Sequence, residues 1–185
     1  MTISEGLRYG TGLIGQRDAM LLMTHITGHN SAYIMLHGNE PLKNAEEFFS
    51  YVNRCKQGEP LQYIIGRWDF MGRTFKTDSR ALVPRPETEL LVEEALAFLR
   101  SYGRPQAAPT KHDYLPSVGA TALGRLQRFG NLAVLDLCTG GGCIAASIAA
   151  SGNYNVTAAD ISQDALSLAR ERRSEGRFIM CRGVV

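Results

Sequence analysis

The chain has 185 residues, of which 44% are hydrophobic and 21% charged, and its formal net charge is +2. These values indicate a globular protein of one or two small domains and exclude general disorder, and the charge gives no support for nucleic-acid binding. No apolar run reaches transmembrane length and no basic, apolar leader opens the chain, so we expect a cytoplasmic protein without membrane contact.

The cysteines and histidines do not predict a metal site. The four cysteines form no CxxC pair, and the four histidines do not stand at metal-ligand spacing from them. His25 and His29 are four residues apart, but the glutamate of an HExxH motif is missing. We therefore expect no metal and a reducing, intracellular compartment.

Residues 1–60 predict a small N-terminal helical domain, because their apolar residues recur at helical spacing without strand-like alternation. The two apolar stripes are Ala19, Leu22, Met23 and Ile26, and Ala45, Phe48, Phe49, Val52 and Cys55. Glycines at positions 28, 38 and 58 end the predicted helices.

Residues 61–84 predict a β-hairpin connector. Trp68 and Phe70 alternate with polar neighbours, residues 71–73 suit a turn, and residues 74–77 can return as a second strand.

Residues 85–185 predict a second domain that opens with a helix. Pro84 and Pro86 flank Arg85, and Glu87 and Glu89 follow at the positive end of the helix dipole. Dipole compensation is the favoured interpretation of the two acids. Arg85 is held in place by the prolines, which suits either an anionic group or an interdomain salt bridge.

Residues 101–131 predict a long, flexible linker. They contain three prolines and four glycines without a sustained period, apart from a short helical pattern near residues 122–129.

Residues 132–160 have the pattern of a nucleotide-binding βαβ unit. An apolar strand ends at Asp136, a glycine turn and a helix of small residues follow, and a second apolar run ends at Asp160. An acid about 20 residues after the first glycine of the turn, Gly140, is placed to bind ribose hydroxyls. Beyond it, the pattern predicts a helix at residues 163–173, capped by Ser162, and then a third strand at residues 177–181.

Two cofactors fit this unit. The spacing of Gly140, Gly142 and Ala145 matches the dinucleotide fingerprint, so an NAD-dependent oxidoreductase is one alternative. A carboxylate at Asp136 would repel a pyrophosphate but attract an amino or sulfonium group, and S-adenosylmethionine has both cations and no phosphate. We rank a ligand-binding role of Asp136 above a role in hydrogen-bonding the turn's own N–H groups.

Three segments resemble a known family. DLCTGGGCIAASIA (136–149) resembles the first motif of class I S-adenosylmethionine-dependent methyltransferases. GEPLQYIIGRWDFMGRTF (58–75) and ALVPRPETELLVEEAL (81–96) resemble the release factor glutamine methyltransferases, also called the HemK family, and PRPETE is the most specific of these signals. The resemblance extends from the N-terminal domain to about residue 169.

The resemblance implies an α/β fold: a class I, Rossmann-like methyltransferase domain, truncated after about three strands and preceded by a small helical domain and a β-hairpin. It implies transfer of a methyl group from S-adenosylmethionine to the glutamine amide nitrogen in the GGQ motif of a peptide chain release factor, which would be the protein partner. The implied cofactor-binding residues are Asp136, Cys138, Thr139, Gly140, Gly141, Gly142 and Asp160. Asp136 would support the loop, and Arg85 and Glu87 are candidates for lining the site.

The chain departs from the family at two places. Cys138 stands where many relatives have glycine, and a small side chain is tolerable there if its φ is negative. The NPPY motif that positions the acceptor amide in the family is absent from the 185 residues, so no catalytic residue is assigned. We expect a chain that is inactive by itself, through truncation, a frameshift or an early stop.

Two alternatives to the methyltransferase remain open: a non-catalytic fragment that binds a release factor, and an NAD-dependent oxidoreductase fragment. In the doubly wound order the first strand lies inside the sheet, so a chain that ends at the third strand leaves an open edge. We therefore expect the 185-residue chain to be destabilised and prone to aggregate.

Overall fold

A computed structural model of the chain describes residues 1–102, 132–171 and 178–182. It divides into two compact units, Met1–Arg67 and Trp68–Val185. The first unit is helical. Its helices are α1 (Ile3–Ile14), α2 (Gln16–Thr27), α3 (Ser31–Leu36), α4 (Ala45–Lys56) and α5 (Leu61–Ile65).

Helix α1 starts at a capping box and approaches α4 closely. The Thr2 hydroxyl accepts a hydrogen bond from the Glu5 N–H, and the Glu5 carboxylate accepts one from the Thr2 N–H. Further along α1, a Cβ at Gly10 would lie 3.0 Å from the Phe48 ring. Glycine at this position therefore leaves room for the ring of Phe48 against the backbone of α1.

The core of the first unit contains buried residues from both predicted stripes. Ala19, Leu22 and Met23 of α2 are fully buried, as are Phe48 and Val52 of α4. Leu22, Met23, Phe48 and Val52 belong to one apolar cluster, so the predicted helical domain is confirmed as a feature of the fold.

The predicted connector at residues 61–84 begins with a helix, α5, although the sequence pattern predicts only a hairpin there. Pro60 occupies its N-cap, and Leu61 and Ile64 are buried in the core of the first unit. The two apolar side chains are three residues apart, so a single helical turn buries both.

The β-hairpin follows at the predicted place, with strands β1 (Arg67–Phe70) and β2 (Arg73–Lys76). Met71 and Gly72 between them have φ values of 52° and 68°. Positive φ at both central residues is the signature of a type I′ turn, which matches the twist of a two-residue hairpin. Phe70 and Phe75 are both buried, with their rings in edge-to-face contact.

The second unit continues as a parallel α/β arrangement, which confirms the predicted fold class. Its elements after the hairpin are α6 (Glu87–Tyr102), β3 (Ala133–Leu137), α7 (Cys143–Ser151), β4 (Asn155–Asp160), α8 (Gln163–Arg170) and β5 (Phe178–Arg182). The strands pair in the order β3-β4-β5, with Leu135 opposite Thr157 and Thr157 opposite Ile179. Ser162 caps α8, since its hydroxyl accepts the Ala165 N–H at 3.2 Å.

The start of the predicted linker is helical. Helix α6 continues to Tyr102 and so includes the first two residues of the segment 101–131, while residues 103–131 lie outside the described part of the chain. Among the described helices, none is long and apolar enough to cross a membrane.

An ionic cluster joins the segment after β2 to the end of α8. The Arg80 guanidinium bonds Glu171 at 2.6 Å, the Ser167 hydroxyl at 3.0 Å and Asp78 at 2.7 Å. Lys76 also bonds Glu171, at 2.6 Å. Hydrogen bonds from Arg80 and Lys76 lower the pKa of Glu171 to about 2.

We predict that this cluster is lost in acid. The unfolded pKa of Glu171 is near 4.5 and the folded one is lower, so the cluster stabilises the fold above pH 4.5 and progressively less as the pH falls toward 2. The Glu171→Gln variant should therefore have a lower free energy of unfolding in urea than the wild type at pH 6. The two free energies should converge near pH 2. Because the charged side chains of the cluster are exposed to solvent, 1 M salt should reduce the difference in free energy of unfolding at pH 6. A difference that stays constant with pH would contradict the assignment.

Candidate functional site

A glycine-rich turn, residues 138–142, joins the carboxyl end of β3 to the start of α7. Gly140 and Gly142 have φ values of 54° and 80°, which glycine adopts without steric cost. The Thr139 N–H donates to the Ala159 carbonyl at 3.0 Å, and this bond fixes the turn to β4. A Cβ at Gly140 would meet no atom within 4 Å, so a ligand has room to approach the backbone there.

Asp136 is buried at the end of β3, with 8% of its surface exposed. Its Oδ2 accepts hydrogen bonds from the Thr139 hydroxyl at 2.5 Å and from the Ala145 N–H at 3.1 Å. Ala145 is the third residue of α7, whose N-cap, Gly142, has no side chain, so Asp136 caps the helix from a neighbouring strand.

The environment of Asp136 has two opposing effects on its ionisation. Burial raises the pKa of this carboxyl group, while the hydrogen bonds from Thr139 and Ala145 oppose the rise. The contacts match the loop-supporting role that the family resemblance implies for Asp136. The interpretation from the residues alone ranked such a role below ligand binding. A direct contact with a ligand stays a prediction.

Asp160, at the end of β4, lies on the other side of the turn. Its Oδ2 accepts the Gly140 N–H at 2.8 Å, and its Oδ1 accepts the Ser162 N–H at 2.9 Å. A carboxylate has about four acceptor positions, so about two remain for hydroxyl groups of a ligand. The residue predicted to bind ribose is therefore oriented by the turn and can still accept further bonds.

The two carboxylates set the charge of the site. Residues 132–160 contain Asp136 and Asp160 and no lysine or arginine. Two negative charges beside the start of α7 disfavour a phosphate there and favour a ligand with cationic and hydroxyl groups.

Cys138 does not have the negative φ under which a side chain is tolerable at this position. Its φ is 59°, not negative, although it is not a glycine, and its side chain is exposed. A side chain in the left-handed region crowds its own backbone, which costs roughly 1–2 kcal/mol. The turn therefore holds a strained residue at a position where the family resemblance implies glycine.

We predict that Cys138→Gly stabilises the protein by about 0.5–1 kcal/mol, because the relief of strain exceeds the extra chain entropy of glycine. Thermal melts should show an increase of roughly 2 °C. Cys138→Ala is the matched control, since it removes the thiol and keeps the strained backbone. Its Tm should equal that of the wild type. Equal stabilisation by both variants would assign the effect to the thiol.

Arg85 and Glu87 are not brought to the turn by any contact that the structure describes. Both side chains are exposed, Arg85 just before α6 and Glu87 as its first residue. Their site-lining role remains a prediction.

Glu89 has a contact that the sequence analysis missed. Its Oε1 accepts the N–H of Met71 at 2.7 Å, across 18 residues of sequence. Met71 has a positive φ, and this bond holds the hairpin turn against α6. No local pattern reveals such a pair, because the two residues meet only when the hairpin packs on the helix.

Two protein families match separate parts of the chain. The family described as PrmC N-terminal domain matches residues 14–66, and the family described as methyltransferase domain matches residues 134–183. The second match contains the glycine turn and both strand-end carboxylates.

Curated proteins similar to the chain include release factor glutamine methyltransferases from several bacteria. That of Chlorobaculum tepidum is 37% identical and aligns with 83% of this chain and 46% of its own length. Those of Bordetella pertussis and Bacillus subtilis are 33% and 32% identical, and each aligns with 91% of this chain and 53% of its own length. The chain thus spans about half the length of these relatives.

Proposed function

Because the chain belongs, over the residues that it spans, to the release factor glutamine methyltransferase family, we propose that its second unit binds S-adenosylmethionine at the turn 138–142. We propose further that it serves methylation of a glutamine side-chain amide in a release factor, the reaction that the names of the relatives state in outline. The observation that carries the proposal is the pair of carboxylates, Asp136 and Asp160, hydrogen-bonded to one glycine turn.

The donor groups of the site fit S-adenosylmethionine. Asp160 has acceptor positions left for the two ribose hydroxyls, and the space at Gly140 admits the donor beside the backbone. The charge of Asp136 would attract the amino and sulfonium groups. When bound, S-adenosylmethionine supplies the methyl group on its sulfonium sulfur.

The acceptor side of the reaction is not supplied by the described residues. An amide nitrogen is a weak nucleophile, so the enzyme must hold the amide in line with the methyl group. The NPPY motif that the family uses for this is absent from the 185 residues. We expect the turn at residues 138–142 to bind the donor.

Thermal melting with ligands tests the cofactor. S-adenosylhomocysteine at 100 times its Kd should stabilise the chain by about 2.7 kcal/mol, which raises Tm by roughly 5–10 °C. NAD at the same concentration should have no effect, because the carboxylate of Asp136 disfavours its pyrophosphate. Stabilisation by NAD alone would favour the oxidoreductase alternative.

A second candidate is a release-factor-binding module without catalysis, whose docking element would be the helical unit that matches the PrmC N-terminal domain. A pull-down of a release factor by the chain, with and without residues 1–60, tests this. Retention only by the longer chain supports the helical unit as the docking element, whereas equal retention contradicts it.

A further inference from the structure

Thr139 lies buried in the glycine turn, although the family resemblance places it among the residues that bind the cofactor. Only 7% of its surface is exposed, and its hydroxyl donates to Asp136 Oδ2 at 2.5 Å. A hydroxyl has one proton to donate, so the Thr139 side chain cannot also donate to a ligand while this bond is made. Its contact with Asp136 is therefore the place to look for its role.

The backbone of Thr139 fixes the turn at two further points. Its N–H donates to the Ala159 carbonyl at 3.0 Å, and its carbonyl accepts the Gly142 N–H at 2.9 Å. Ala159 immediately precedes Asp160, whose carboxylate accepts the Gly140 N–H. Thr139 thus has a fixed position between the ends of the two strands that carry the carboxylates.

The two oxygens of Asp136 differ in their contacts. Oδ2 accepts both the Thr139 hydroxyl and the Ala145 N–H, whereas no residue in the described part of the chain donates a hydrogen bond to Oδ1. The last torsion of an aspartate side chain has broad minima, so the Ala145 N–H by itself would leave the carboxylate free to rotate. Two donors on one oxygen fix the plane of the carboxylate and leave the acceptor positions of Oδ1 for a ligand.

We propose that Thr139 is a positioning residue of the donor site, whose hydroxyl holds Asp136 Oδ2 so that Oδ1 accepts the ammonium group of S-adenosylmethionine. The inference rests on the proposed binding of the donor at the turn 138–142. An ammonium group donating to a carboxylate makes a charge-assisted hydrogen bond, about twice as strong as a neutral one. Loss of the Thr139 hydroxyl should therefore weaken those ligands that carry the amino group.

Isothermal titration calorimetry with variants of the chain tests the proposal. Thr139→Val keeps the shape of the side chain without its hydroxyl, so it should weaken the binding of S-adenosylhomocysteine about tenfold. Thr139→Ser keeps the hydroxyl and should bind within about threefold of the wild type. In the Asp136→Asn background, Thr139→Val should weaken binding less than about twofold further, because the charged oxygen that Thr139 positions is gone.

An analogue of S-adenosylhomocysteine that lacks only the amino group is the matched ligand control. It cannot bond Oδ1 as a cation, so Thr139→Val should change its Kd, measured by displacement of S-adenosylhomocysteine, less than about twofold. A purely structural role of Thr139 would instead weaken both ligands equally, because the whole turn would be disturbed.

Thermal melting checks that each variant is folded, and Thr139→Ala repeats the comparison should Thr139→Val fail to fold. Equal losses for both ligands, or weak binding of S-adenosylhomocysteine by Thr139→Ser, would overturn the positioning role. If the wild type binds S-adenosylhomocysteine and Thr139→Val binds it equally well, the positioning role alone is wrong. If the wild type does not bind it, the proposed donor site is wrong and the positioning role with it.

Discussion

Asp160→Ala should lower the affinity for S-adenosylhomocysteine by roughly 10- to 100-fold, because a hydrogen bond to a charged group contributes about 1.5–3 kcal/mol. The change removes the acceptors that we propose for the ribose hydroxyls. It also removes those for the N–H groups of Gly140 and Ser162, so the turn loses its link to the start of α8. Isothermal titration calorimetry with the purified variants measures the loss.

Asp164→Ala is the control for this experiment. Asp164 is an exposed acid in the first turn of α8, four residues from Asp160, so the variant makes the same change in charge without touching the turn. Its affinity should stay within about twofold of the wild type, as expected for an exposed charge. Unchanged binding by the Asp160 variant, or equal losses in both, would remove Asp160 from the ligand site.

Asp136→Ala should lower the free energy of unfolding by about 2–3 kcal/mol. It leaves the Thr139 hydroxyl and the Ala145 N–H without their acceptor in a buried place, and an unsatisfied buried donor costs about 1–3 kcal/mol. Asp136→Asn keeps an acceptor oxygen there and removes the buried charge, so its stability should stay within about 1 kcal/mol of the wild type. Urea unfolding at pH 7 compares the three proteins.

The asparagine variant also distinguishes the helix-capping role of Asp136 from the effect of its charge. Burial holds the pKa of Asp136 above its unfolded value of 3.8, so the stability of the wild type should fall as pH rises from 3.8 through the folded pKa. This contribution should be absent from Asp136→Asn. If the charge attracts the donor, the same variant should remain folded and bind S-adenosylhomocysteine more weakly. An asparagine variant as unstable as the alanine variant would show that the turn needs the charge itself.

Much of the fold follows from local sequence. The stripe of Ala19, Leu22 and Met23 predicts the packed face of a helix, and the structure buries all three. The turn at Met71 and Gly72 and the cap at Ser162 were also expected where they occur, because turn and cap chemistry act over two to four residues.

The predictions from the sequence fail where contacts between residues distant in the sequence determine the local structure. Helix α5 forms inside the predicted connector because Leu61 and Ile64 are buried by helices earlier in the chain. Cys138 has a positive φ because the turn is fixed at both ends, by the bond of Thr139 to Ala159 and by the capping of Ala145. The site-lining roles of Arg85 and Glu87 are not among these errors and stay predictions.

Apart from helix α5, the sequence by itself determined the order of the elements, the glycine turn after β3 and the acids at two strand ends, since periodicity and backbone freedom are local properties. Only the tertiary structure decided what these residues touch. Asp136 bonds Ala145 across nine residues, Asp160 bonds Gly140 across 20, and Glu89 bonds Met71 across 18. Such pairs form when separate elements pack, because they depend on which neighbours the fold supplies.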